Sequence, residues 1–271
     1  MTTARPAPRP ITRSGDGEVG LRRTRAAALR AVTAYRGLSW TPLLLVGAGL
    51  GLFAFVGDEL PGIAGMVVLT LTSTGFAWGG AALLAGYLTT SGAVAPISRA
   101  VAPISASVVL VTATVVYYGL IVAHGRRWRL GTLEDGSSSA LNGLASVGRA
   151  TAFWLTASVV AGVLLGGLGA LVRRGTRIAA SVAAGAALGL LAGQGLEFLM
   201  IFRAWHALDA FFLGRVLSAT ASVLLAMIGT TVLLAYRRAP TSWPIFAATS
   251  LLASLVAALL WHQIGSITTA I

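Results

Sequence analysis

Gln194 and Glu197 lie about one turn apart near the end of a long apolar run, and Arg203, His206 and Asp209 follow just beyond it. A carboxylate inside a membrane-length segment is expensive to desolvate, so such residues by default mark solute, ion or proton paths. Pairing lowers that cost, and Arg203, His206 or a tyrosine hydroxyl are the partners that the sequence offers. Tyr117 and Tyr118 sit at similar depth in another apolar run, while His124, His206 and His262 fall at or just past the ends of alternate runs. Together these residues form a candidate polar site that could serve a small solute, an ion or a proton. The competing reading makes them interfacial side chains that snorkel or cap helix ends.

Other chemistries find little support. No two histidines share the three- or four-residue spacing that places metal ligands on one helix face. HExxH, GxSxG and Walker sequences are missing, as are the paired acids of an aspartyl protease. Without cysteine there is no thiolate nucleophile or ligand and no disulfide. The chain is read as a non-enzyme, with no catalytic residue, metal or cofactor assigned.

The elements that must position these residues are membrane helices. A chain of 271 residues that is 56% hydrophobic and 10% charged, with a mean hydropathy of +0.83, falls well outside the range of soluble domains, which are about 25% charged. A hydrocarbon core about 30 Å thick needs about 20 apolar residues per helix. Seven segments qualify: Trp40–Val56, Ile63–Leu88, Ile104–Ala123, Phe153–Val172, Ile178–Ile201, Val216–Tyr236 and Trp243–Ile264. Pro42 and Pro244 sit in opening turns, where no amide donor is missed. Trp40, Trp128, Trp154, Trp205, Trp243 and Trp261 fall near segment ends, as an aromatic belt requires, and only Trp78 lies mid-span. The fold class is all-α, a polytopic helical membrane protein of about seven spans.

Residues 1–36 carry eight of the 20 arginines and three prolines and are read as a disordered tail. Leu21 to Tyr35 within it fits a short helix lying on the membrane surface. Residues 37–271 form the transmembrane domain. With the tail inside, 14 arginines fall on the inner side and six on the outer, which puts the N-terminus in the cytoplasm and the C-terminus outside a bacterial plasma membrane. The partners expected are the bilayer itself and anionic lipid at the tail, with no nucleic acid. The loop from His124 to Ala152 lies outside, with Arg126, Trp128 and Arg129 at the headgroups and an interfacial or re-entrant piece as an option around Leu141–Val147.

Small residues recur at four-residue spacing: Gly47 with Gly51, Gly75 with Gly79, Gly162 with Gly166 and Ala170, and Gly185 with Gly189 and Gly193. Such rows let helices approach closely, within the chain or between copies and partners. The three-member rows lead to the expectation that the fourth and fifth segments pack most tightly on each other. GAGLGLFA at 47–54 matches GAALGLLA at 185–192 in six of eight places, and the same offset aligns Glu59 with Glu197 and His124 with His262. Segments one to three and five to seven would then form a parallel three-helix repeat joined by segment four, as in some transporters. Low complexity is the alternative source of the match. Thr70, Thr72, Ser73 and Thr74 could line an aqueous path, but such hydroxyls more often bond to their own helix.

The stretches GAGLGLFAFVG, VVYYG, FWLTASVVAGVLLGGLGALVRRG and GLLAGQGLEF resemble a family of uncharacterised multi-pass membrane proteins from actinobacteria, over roughly the first five segments. The resemblance implies the fold and carries no ligand, activity or site residue with it.

Overall fold

A helix that is apolar on every face can hide its surface only in lipid or against other helices, and its backbone must satisfy itself. The computed structural model follows this rule. It describes residues 40–90, 95–125, 128–129, 131, 138–200, 210–237 and 239–270. The tail, with its surface helix, lies outside the described residues.

Among them the regular elements are eight α-helices. They are α1 Trp40–Glu59, α2 Gly62–Thr72, α3 Gly75–Thr89, α4 Ala95–His124, α5 Ala140–Arg174, α6 Arg177–Met200, α7 Ala210–Tyr236 and α8 Trp243–Ala270. Six are long and apolar enough to cross a membrane, and α2 with α3, bent by 41° at their break, makes a seventh if the pair is counted as one span. Exposed leucines such as Leu45, Leu251 and Leu259 face outward, where lipid would cover them.

The second segment therefore departs from expectation. It is broken at Ser73–Thr74 and not continuous over Ile63–Leu88. The hydroxyls of Thr70, Thr72 and Thr74 donate to the carbonyls of Met66, Val68 and Thr70, four residues back. Back-bonded, β-branched residues in close succession bend a helix. Thr74 then leaves the helical region (φ −91°, ψ 157°) and caps the next helix, its side chain accepting from the Ala77 amide.

Other boundaries move outward. α4 starts well before Ile104 and carries Pro103 in its interior. The expected outer loop is shorter, because Leu141–Val147 is the first part of α5 and neither re-entrant nor separate. At 1.5 Å per residue this 35-residue helix reaches about 50 Å, longer than a hydrocarbon core.

The glycine rows pack on different partners than expected. α6 makes its most extensive contact with α8, and α5 with α4, whereas α5 and α6 touch far less. A Cβ on Gly185 would fall 2.7 Å from the Phe246 carbonyl oxygen, on Gly189 2.5 Å from Ala253, and on Gly193 2.6 Å from Ala257. α8 answers with Thr249, Ser250, Ala253 and Ala257, small enough to let the backbones close in. On α5, Gly162 and Gly166 face Ser107 and Ala102 of α4, and Gly169 faces α3 at Leu83 and Tyr87. The two rows lie on helices joined by a short turn, but they point away from each other.

Candidate functional site

The break between α2 and α3 supplies the site. Its freed groups are taken up by neighbours: Gln194 of α6 accepts from the Gly75 amide at 2.6 Å, and the Trp78 indole donates to the Thr72 carbonyl at 2.5 Å. Trp261 of α8 covers the same point, since a Cβ on Gly75 would lie 2.6 Å from its ring. Gly75 is therefore required by close approach. Thr70 Oγ1 lies 2.7 Å from Ser218 Oγ, a hydroxyl pair linking α2 to α7.

From this break a cavity of about 800 Å³ opens between α3, α4, α5, α6, α7 and α8. Its wall is mostly apolar, as ligand pockets are. The polar groups are few: Ser73 and Thr74 at the break, Gln194 and Glu197 from α6, Arg215, Ser218 and Ser222 from α7, and Ser158 from α5. Ser158 exchanges a 2.7 Å hydrogen bond with Thr114. The aromatic surface comes from Trp78, Tyr117, Tyr118, Trp154, Phe198 and Trp261.

These rings hold one another in place. Tyr117 meets Trp78 edge to face at 6.5 Å and Tyr118 at 5.1 Å, and its hydroxyl donates to Asp58 Oδ2 at 2.5 Å. Trp154 and Trp261 lie 6.5 Å apart. The Arg215 guanidinium sits 5.1 Å above the Phe198 ring, a cation–π contact. Arrays of this kind give shape at low entropic cost, because aromatic side chains have few rotatable bonds.

Four of the candidate residues line the cavity together: Gln194, Glu197, Tyr117 and Tyr118. His262 joins them at the rim, its Nδ1 3.4 Å from Glu197 Oε1, with its side chain 70% exposed against 23% for Glu197. The expected pairing of Glu197 with Arg203 or His206 falls on residues outside those described. His124 stands apart, edge-on to Phe55 at 5.7 Å. Arg203, His206 and Asp209 lie outside the described residues.

Several lining residues escape a reading of the sequence. Trp154 and Trp261, expected in the aromatic belt, face the cavity. Arg215, expected in an outer loop, belongs to α7. Both errors have one cause. The helices run well past the apolar windows that reveal them, so residues near a window edge lie inside the bundle. The dense hydroxyl run TLTST followed by Gly75 was the available signal for the break.

The carboxylate, guanidinium, amide and hydroxyls can orient a molecule by charge and hydrogen bonding while the rings cover its apolar part. Among the described residues no three metal-ligating side chains cluster. Fold and site together define an all-helical, multi-pass protein of membrane type, with six or seven apolar helices able to span a membrane and a cavity at the break between α2 and α3. In comparisons with known proteins, no family model, curated protein or solved structure matches the chain.

Proposed function

We propose that the protein takes a small amphipathic solute into the cavity and passes it through the bilayer, acting as a transporter-like or channel-like protein. The observation that carries this is the broken second crossing. Irregular backbone at membrane depth is tolerated where it is buried in protein or lines a cavity, and transporters place substrate sites at such breaks. Here the break is lined by Gln194, Tyr117 and Tyr118, with Glu197 farther along α6. In this reading the cavity opens toward the extracytoplasmic side of a bacterial plasma membrane, with the N-terminus in the cytoplasm, because the arginine-rich ends belong inside. Membership of the actinobacterial family belongs to the same proposal and supplies no substrate.

The cysteine-free sequence permits a direct test. Ser73→Cys and Ser218→Cys place thiols in the cavity wall, and Thr230→Cys places one at a packed position outside it. In intact cells a small charged thiol reagent is expected to modify the cavity positions at least about tenfold faster than Thr230→Cys, since access governs thiol reactivity. Equal, slow reaction at all three positions would sink the aqueous cavity. The rival reading, a membrane scaffold or partner subunit that uses its glycine faces, would then stand.

A further inference from the structure

The cavity is not walled by packed helices on every side. α5 and α8 both contribute to its lining, yet among the described residues these two helices make no extensive contact with each other. α5 packs on α3, α4 and α6, and α8 packs on α6. What spans the interval between them is a pair of side chains, Trp154 of α5 and Trp261 of α8, with ring centroids 6.5 Å apart and planes inclined by 36°. Along the same interval the cavity-lining Val160 and Leu164 of α5 are each 54% exposed, and Leu260 of α8 is 51% exposed. Ser158 and Leu165, which line the cavity from the same helix, are buried. Around α5 the lining thus runs from closed to open, and the open side is the gap toward α8.

Depth decides what this gap meets. Val160 and Leu164 lie about two turns or more from either end of the apolar segment Phe153–Val172, and Leu260 lies about one turn from the end of Trp243–Ile264. At that depth the lips border hydrocarbon. Acyl chains cover half-exposed aliphatic side chains without the penalty that water would impose. A cavity open to lipid must also leave no bare backbone group. The break meets this condition, because the Gly75 amide is taken by Gln194 and the Thr72 carbonyl by the Trp78 indole. The polar groups of the lining, Glu197 and the α7 serines Ser218 and Ser222, stand on other helices than the two lips. A molecule in the cavity therefore meets a polar wall on one side and an apolar gap on another, and an amphiphile matches both.

We propose that the gap between α5 and α8 is a lateral portal through which the cavity takes a single-chain amphiphile from the bilayer. Its chain lies between Val160, Leu164 and Leu260, and its polar head reaches Glu197 and the α7 serines. Trp154 and Trp261 span the portal, and their rings suit a place that is apolar on one side and polar on the other. The portal names the solute class of the transport reading above and rests on it for passage across the bilayer; entry through the gap stands without it.

The test uses the full chain in liposomes that contain lysophosphatidylcholine with a photoreactive diazirine near the end of its chain. Peptide mass spectrometry maps the adducts. They are expected at buried positions of the cavity wall, Leu165 and Ala257 among them, as well as on outward Leu45 and Leu251. Adducts confined to outward residues would overturn the portal. Ala157→Trp, on the cavity-lining face of α5, fills the gap and is expected to abolish the cavity adducts while leaving those on Leu45. Cavity adducts undiminished in this variant would mean that the probe enters elsewhere, and the portal would fall. Should Ala157→Trp fail to fold, Leu260→Trp on the opposite lip must show the same loss, and an unchanged yield would count against the proposal. Movement of the probe between leaflets, read by extraction with albumin, separates the portal from transport. Cavity adducts without movement would keep the portal and sink transport. Fast thiol labelling of Ser73→Cys and Ser218→Cys without cavity adducts would keep the aqueous cavity and sink the portal.

Discussion

Two helix pairs in this bundle are built alike and finished differently. In the first, Gly47 and Gly51 of α1 press on Val109, Thr112 and Ala113 of α4; in the second, Gly185 and Gly189 of α6 press on Phe246, Thr249 and Ala253 of α8. The offset that lays Gly47 on Gly185 lays Thr112 on Ser250, itself a neighbour of Gly185. The packing registers thus agree to within a residue or two, which is what a parallel repeat requires. The middle crossings do not agree. In the first half the crossing is broken, and its second piece, α3, packs on α4, α5, α6 and α7. In the second half α7 is one continuous helix whose main contact is α6. The glycine pairs act as matched frames, and the asymmetry between them makes the cavity.

If the pairs are equivalent frames, enlarging their glycines should destabilise both, and the longer row should suffer more. Gly189→Leu is expected to have the largest effect, because the first added carbon meets the Ala253 backbone at 2.5 Å. Backbone cannot give way as a side-chain tip can, so the cost should reach or exceed the usual overpacking range of about 1–3 kcal/mol. Gly51→Leu, whose Cβ would press on the Ala113 carbonyl oxygen, should cost somewhat less, since only two glycines share that seam. Thermal unfolding in detergent ranks the two. A harmless Gly189→Leu would show that the pairs are not tight frames.

A smaller effect probes the asymmetry itself. Gln194 has no counterpart across the first pair, because it serves the break by accepting from the Gly75 amide. Gln194→Ala leaves that donor without its acceptor in a partly buried place, at a cost of about 1–3 kcal/mol. It should also speed thiol labelling of Ser73→Cys. Unchanged stability and labelling would mean that the break holds itself.

How much of this was open to a reader of the sequence follows from length scales. Crossings are legible because about 20 apolar residues have few other uses. The glycine match between 47–54 and 185–192 also marked two rows that each pack closely on a partner helix. The partner of each glycine row was not legible, since a small face states that something approaches closely and not which helix does so. The break was hidden because Thr70–Gly75 is too short to lower the average hydropathy of its window. Trp154, Trp261 and Arg215 were misassigned for the converse reason. Charge and aromatic rings at the edge of an apolar window look interfacial until helices extending beyond the window turn them inward.

The smallest effect separates site from scaffold. Glu59 and Glu197 occupy matching places in the two pairs, yet only Glu197 lines the cavity, with His262 3.4 Å away at the rim. That contact is long and its histidine is largely in solvent, so it should contribute no more than about 1 kcal/mol to stability. Glu197→Gln preserves shape and removes charge, and its melting temperature should stay within a degree or two of the parent. Glu59→Gln should be equally mild. The variants are expected to part in the labelling of Ser218→Cys by a positively charged thiol reagent, which the Glu197 carboxylate attracts into the cavity: Glu197→Gln slows it and Glu59→Gln does not. If both slow it equally, the charge acts through the general field of that end of the bundle, and the cavity has no privileged acid.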